Sequence, residues 1–76
     1  MTENERWVLI ALAEGPAHGY QIIKSVEFHT EGKKRLATGT LYPALESLVE
    51  KGYIRQTEQR DEGAPDRRYY ERVVSP

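Results

Sequence analysis

Thr40, Tyr42 and Pro43 stand close together where a helix is predicted to begin, within the stretch TGTLYPALESLVEKG. Threonine and tyrosine hydroxyl groups bond phosphate oxygens, and a threonine methyl group or a proline ring can rest against the methyl group of thymine. The N–H groups at a helix start also attract phosphate. With Thr38 and Gly39, these residues therefore favour contact with double-stranded DNA. The alternative is that Thr40 only caps the helix and Tyr42 only packs.

Basic side chains lie on both sides of this helix in the sequence. Lys33, Lys34 and Arg35 directly precede it and are predicted to clamp the DNA backbone, with a solvated loop as the alternative. Three later arginines are predicted to contact phosphates or the minor groove: Arg60, Arg67 and Arg68. Acidic residues stand among these arginines, so cross-strand ion pairs are the alternative there.

The distribution of charge supports a nucleic-acid partner better than the total charge does. The formal net charge is −1, which alone disfavours such a partner. Residues 1–32 carry two basic and five acidic side chains, whereas residues 33–76 carry nine basic and seven acidic. The second part therefore has a net positive charge, and local fields rather than the total steer phosphates.

Composition and motifs argue against several other classes of function. The 76 residues are predicted to form a single domain, 1–76. The chain has no cysteine and two histidines, so neither a metal site nor a cofactor is predicted. No phosphate-binding glycine loop or nucleophile motif is present, so no catalytic residue and no enzyme is predicted. No apolar run reaches the ~18 residues of a membrane span, and we expect no membrane partner and a cytoplasmic location at the bacterial nucleoid.

The elements that must position these residues begin with two helices. Thr2 and Glu5 have the spacing of a capping box, and helix 1 is predicted over roughly 3–14. Helix 2 is predicted to start near His18 and to stop before Gly32.

Helix 3 is predicted to start at Thr38 or Thr40, either of which can cap it. Pro43 favours the later start, because proline fits the first turn of a helix. Leucines form the buried face of this helix, and five residues are expected to face outward: Thr40, Tyr42, Pro43, Glu46 and Ser47.

A change of period after helix 3 predicts a β-hairpin with strands within 53–59 and 67–73. A lone hairpin is unstable in water, so this one is expected to pack on the helices through Ile54, Val73 and one or two tyrosines. Three helices followed by a two-stranded β-hairpin give an α+β fold with the outline of a winged helix-turn-helix.

Two stretches resemble the PadR family of bacterial transcriptional regulators. LIALAEGPAHGYQIIKSV (9–26) is similar to the junction and second helix of that family, and TGTLYPALESLVEKGYI (38–54) is similar to its recognition helix. The resemblance implies a winged helix-turn-helix repressor that binds a pseudo-palindromic operator as a homodimer. It also implies that Tyr20 contacts the DNA backbone or packs.

The sequence departs from the family after the wing. Arg72 and Val73 stand where the family has a Leu-Thr pair, and the chain ends three residues later, before the usual dimerisation helix. Binding of a small-molecule effector is therefore not carried over. The expected homodimer would use helix 1 and Trp7 as its interface. The alternative is that Trp7 is a core residue. The alternative function is a protein-interaction module that modulates a full-length regulator by mixed dimerisation.

Overall fold

Three α-helices and a small antiparallel sheet make up residues 1–58 and 68–73, which are the residues that the computed structural model describes. In chain order the elements are α1 (Glu3–Ala11), a 3-10 turn (Leu12–Glu14), β1 (Ala17–His18), α2 (Gly19–His29), α3 (Thr38–Glu50), β2 (Ile54–Gln56) and β3 (Tyr69–Arg72). The predicted α+β winged helix-turn-helix architecture is confirmed, with one additional strand.

The capping box at the start of α1 forms as predicted. The Thr2 backbone N–H donates to Glu5 Oε1 (2.8 Å), and the Glu5 N–H donates to Thr2 Oγ1 (3.1 Å). The helix ends earlier than the predicted residue 14, because its last turn tightens into the 3-10 turn. Gly15 then adopts a φ of 142°, which side chains disfavour, and the chain leaves the helix there.

The helix α3 begins at Thr38, so the later start predicted from Pro43 is wrong. The N-cap is Ala37, and neither Thr38 nor Thr40 caps the helix. The N–H groups of Thr40 (3.0 Å) and Leu41 (2.8 Å) both donate to the Ala37 carbonyl, which closes the first turn without a side-chain cap. Pro43 therefore lies in the second turn. It removes one bond, to the carbonyl of the exposed Gly39, which water can hydrate.

The sheet has the order β1-β3-β2, so the predicted two-stranded hairpin is a three-stranded sheet. In β1, Ala17 pairs with Tyr70 and His18 with Tyr69. Two residues are too few for an alternating pattern, so β1 could not be predicted from the sequence. On its other side β3 pairs with β2, with Ile54 opposite Arg72.

The core lies between the three helices and the inner face of the sheet. Its fully buried members come from every layer: Val8, Ile22, Val26, Leu41, Leu45, Leu48 and Ile54. Ile54 and Tyr70 bring the sheet into this core as predicted, and Tyr69 is also buried. The prediction for Val73 is wrong: it lies just beyond β3, bonds only through its N–H to the Tyr53 carbonyl, and is 44% exposed.

Candidate nucleic-acid interface

The start of α3 presents the predicted contact residues at the surface. Thr38, Gly39, Thr40, Tyr42 and Pro43 are all exposed. The buried face of the same helix, formed by the leucines, lies against α1 and α2 and fixes the rotation of α3 about its axis. The first two turns therefore offer hydroxyl groups, a phenol and a proline ring to whatever meets this surface.

Tyr42 packs and is exposed at the same time. Its ring lies against the first residue of α2: a Cβ placed on Gly19 would be 3.0 Å from Tyr42 Oη and 3.3 Å from Leu41 Cδ2. The absence of a side chain at Gly19 thus lets the start of α2 approach α3 closely. Tyr42 therefore packs on α2, as one interpretation of the sequence expected, while 47% of it remains exposed.

Tyr20 lies beside this junction, on the outer face of α2. It is 59% exposed, and Lys24 Nζ lies 5.5 Å from the centre of its ring. The His18 ring also stacks with the Tyr20 ring, with ring centres 6.5 Å apart. Tyr20 therefore does not pack into the core, and a phenol and an ammonium group stand together at the surface near the start of α3.

His18 holds the start of α2 and the sheet together, a role that the sequence analysis did not assign to it. The ring Nδ1 of His18 accepts from the backbone N–H of Gln21 (3.3 Å), while the backbone N–H of His18 donates to Gln21 Oε1 (3.0 Å). The buried ring also meets the ring of Tyr69 edge to face, with centres 5.2 Å apart. The spacing of His18 and Gln21, three residues apart before an apolar stripe, is the signal that could have revealed this cap.

The basic residues before α3 are only partly free of partners. Lys34 is half-buried with its Nζ 3.8 Å from Glu3, and Arg35 Nε lies 3.6 Å from Glu27. Lys33 is exposed, with no ion pair inside the described part of the chain. Ion pairs at a surface are weak, so Lys34 and Arg35 can leave these carboxylates for another anion.

On the wing, Arg68 is exposed, whereas the predicted contacts Arg60 and Arg67 lie outside the described residues. Cross-strand ion pairing, the alternative for this region, occurs between Arg55 and Glu71 at 3.2 Å. In the part of the chain that the structure covers, the wing exposes three arginines: Arg55, which pairs with Glu71, and Arg68 and Arg72.

Glu5 anchors the far end of α3, and this link was not anticipated from the sequence. Its carboxylate is buried and its Oε2 accepts from Ser47 Oγ (2.8 Å) and Lys51 Nζ (2.9 Å). The Thr2 N–H, the Lys51 ammonium and the Ser47 hydroxyl together lower the pKa of Glu5 from 4.5 to about 2. Ser47 therefore turns toward α1, contrary to the prediction that it faces outward.

Trp7 is half-buried and packs against the core, so it is neither a full core residue nor a free surface anchor. One side of it lines an open groove with Glu3, Thr30, Lys33 and Lys34. Ile10, one turn further along α1, is 47% exposed.

Residues 1–58 and 68–73 hold no group of three or more metal-ligating His, Asp or Glu side chains. None of the helices there combines the length and hydropathy that crossing a bilayer requires.

Three short helices with a small sheet, in which α2 and α3 meet at their N-terminal ends, define a winged helix-turn-helix protein. Residues 8–72 match the model of the transcriptional regulator PadR-like family. The match covers most of the sequence, and the chain belongs to this family.

Two relatives align with about three quarters of the chain. The chain is 36% identical over 56 residues to the transcriptional regulator YqjI of Escherichia coli (strain K12), covering 74% of the chain and 26% of that protein. It is 43% identical over 58 residues to an uncharacterized 37.1 kDa protein in transposon TN4556 of Streptomyces fradiae, covering 76% and 16%. The chain thus spans about a quarter or less of these relatives.

A solved transcriptional regulator from Clostridium thermocellum has the same fold. It superposes with a TM-score of 0.78 at 29% identity, over 91% of this chain and 66% of that one. The described helices and sheet therefore correspond to a fold found in transcriptional regulators.

Proposed function

We propose that this chain is a sequence-specific regulator of transcription that binds double-stranded DNA and acts as a repressor. In this proposal α3 enters the major groove and the wing contacts the backbone. Membership of a family of transcriptional regulators supports the proposal. The observation that carries it is the exposed, side-chain-uncapped start of α3, because it joins hydroxyl groups to a positive helix end.

The dimensions of α3 suit this role. Its thirteen residues span ~20 Å, and the major groove, ~12 Å wide, admits one helix. The buried leucines of α3 hold the helix by one side only, so the opposite side is free to meet base edges. Thr40, Tyr42 and Pro43 lie at the end that would enter first.

Contacts on either side of the groove would fix the helix there. Tyr20 with Lys24 on α2, and Lys33 in the loop before α3, would supply a phenol and two ammonium groups. Arg68 would extend the contact along the backbone from the wing. Such contacts position the protein without reading sequence, so specificity is left to α3.

We further propose that two copies bind a pseudo-palindromic site as a homodimer. The half-exposed Trp7 and the exposed Ile10 on α1 supply an apolar surface for the second copy, and tryptophan is frequent at interface centres. Half-sites would then be spaced by about one helical turn of DNA, ~34 Å, or a multiple of it.

Fluorescence anisotropy with labelled duplexes tests this function. A pool of random-sequence duplexes is selected for binding, and the affinity of the enriched duplex is measured from 50 to 300 mM salt. We expect one enriched motif and a log-log salt slope of about −0.9 for each phosphate neutralised. Arg68→Gln should lower the affinity for all duplexes and flatten that slope, since it removes a backbone contact.

Sedimentation of the same samples separates this function from its alternative. A shift to a complex of two chains per duplex supports the proposed homodimer. Absence of any shift at low salt, together with stable association with a longer regulator of this family, would instead favour the mixed-dimer module.

A further inference from the structure

Glu46 lies at the centre of the exposed face of α3. It follows Tyr42 by one helical turn and is exposed, whereas its neighbours Leu45 and Leu48 are fully buried. At 100° per residue, Glu46 projects between Tyr42 and Pro43 and opposite the buried leucines. If the start of α3 enters a groove, the Glu46 carboxylate is directed at its floor.

This carboxylate has no partner within the protein, as far as residues 1–58 and 68–73 show. Most other acidic side chains on the helices have a basic neighbour, as Glu3 has Lys34 and Glu27 has Arg35. In that part of the chain, no hydrogen bond or ion pair engages Glu46. Its charge is therefore available to an outside donor.

The composition of the rest of α3 narrows the kinds of base that Glu46 could contact. Between Thr38 and Glu50 the helix has no lysine or arginine, so the usual bidentate contact of arginine with guanine is unavailable to it. A carboxylate can only accept hydrogen bonds, and it is repelled by the phosphates that line the groove. A base that offers an amino group is the kind of partner that would offset this repulsion.

Cytosine satisfies that requirement better than adenine. Its N4 amino group is the only polar group that it shows in the major groove, whereas the adenine N6 amino group stands beside the N7 acceptor. The N7 lone pair would repel a carboxylate placed to bond N6. Guanine and thymine offer only acceptors on this edge.

We propose that Glu46 determines sequence specificity by accepting a hydrogen bond from the N4 amino group of a cytosine in each half-site. This inference rests on the proposed DNA-binding function and adds the identity of one base and the residue that reads it. Glu46 is distinct from Thr40, Tyr42 and Pro43, whose groups suit phosphates and thymine methyl groups.

Selection from random duplexes tests the assignment with the wild type, Glu46→Gln and the control Glu50→Gln. Glu50 is exposed on the same side of α3, one turn further from the end that enters the groove, so both variants remove one negative charge. Both positions are on the surface, and thermal unfolding checks that both variants are folded.

We expect the wild type to enrich a C·G pair at one position of the half-site, and Glu50→Gln to enrich it equally. Glu46→Gln should lose this preference and move toward adenine, which glutamine bonds through N6 and N7. Against a duplex with that C·G pair replaced by T·A, the wild-type preference should be about tenfold, and the variant should lose it.

Two results would overturn the assignment. They differ in whether the proposed DNA-binding function fails as well. If Glu46→Gln enriches the same motif as the wild type while both variants bind every duplex more tightly, Glu46 only repels phosphates and the proposed function stands. If the wild type enriches no motif at all, the proposed function fails together with the role of Glu46.

Discussion

The two ends of α3 are held in opposite ways. At the C-terminal end, the buried Glu5 carboxylate binds Ser47 and Lys51 at 2.8 and 2.9 Å and ties the helix to α1. At the N-terminal end, Ala37 offers no side chain to cap the helix, and the residues that follow are exposed. The polar side-chain contacts of α3 within the described residues thus lie at its C-terminal end, whereas its N-terminal end is held by packing of Leu41 and Tyr42.

This contrast separates stability from recognition along one helix. The buried leucines and the Glu5 network fix where α3 points, and neither belongs to the proposed DNA surface. Apart from the buried Leu41, the start of α3 is exposed and carries the polar groups proposed to meet DNA. Variants at the two ends should therefore affect different measurements.

The largest change in stability is expected for Glu5→Gln. Glutamine at this position still supports a capping box, so the substitution isolates the charge that faces Lys51 and Ser47. We expect a lower midpoint of urea unfolding at pH 7. Glu3→Gln is the matched control, because Glu3 is an exposed acid in the same helical turn and should cause a much smaller change.

The pH dependence gives this prediction its sign. The folded-state pKa of Glu5 is lowered to about 2 from 4.5, so its contribution is present above about pH 4.5 and is lost as the pH falls toward 2. The difference between the wild type and Glu5→Gln should accordingly shrink over that range. A constant difference from pH 7 to pH 2.5 would show that the carboxylate charge contributes nothing.

At the other end, Tyr42→Ala should weaken DNA binding by about 10- to 100-fold, the range expected when a hydrogen bond to a charged group is lost. Tyr42 is half-exposed, so the loss in unfolding free energy should be small in comparison. Tyr42→Phe keeps the ring and removes only the hydroxyl, so it should lose affinity by a similar factor if the hydrogen bond carries the effect. Unchanged affinity in Tyr42→Ala, measured by anisotropy, would exclude this residue from the site.

A smaller effect on binding is expected for Gly19→Ala. The added methyl group would lie 3.0 Å from Tyr42 Oη and would displace the end of that side chain. We expect weaker binding to the selected duplex, by less than in Tyr42→Ala. The melting temperature should fall slightly, because the methyl group would also lie 3.3 Å from Cδ2 of the buried Leu41. Gly39→Ala serves as the control for the melting temperature alone, since open space surrounds that glycine but it is itself a predicted DNA contact.

The sequence predicted the helices well because each carries a strong local signal. The Thr2–Glu5 capping box and the leucine spacing of α3 act within one or two turns, and the helices appear close to where they were expected. The predicted start of α3 was too late, because proline is most common in the first turn of a helix and Pro43 lies in the second. Once Ala37 accepts two N–H bonds, the helix can begin earlier and lose only the bond to Gly39.

The missed features depend on contacts between distant residues. The strand β1 exists only because β3 pairs with it, and Glu5 meets Ser47 across 42 positions of the sequence. No local pattern could place either. The exposure of Thr40, Tyr42 and Pro43 was anticipated, since the leucines fix one face of α3.

The smallest expected effect tests the uncapped end directly. Ala37 has the extended backbone of an N-cap (φ −81°, ψ 156°), and Ala37→Ser would place a hydroxyl group where it can accept from the first-turn N–H groups. The free energy of unfolding should rise by about 1 kcal/mol. Ala13→Ser, at an exposed alanine outside any N-cap, is the control and should leave stability unchanged within about 0.5 kcal/mol.

The affinity for DNA should fall in Ala37→Ser, whereas the stability should rise. If the N–H groups at the start of α3 bind phosphate, the new hydroxyl group competes for them, and affinity should fall about twofold although the protein is more stable. An affinity that rises together with stability would mean that these N–H groups make no phosphate contact. The start of α3 would then act through its side chains alone, and the contrast between its two ends would be one of packing rather than of recognition.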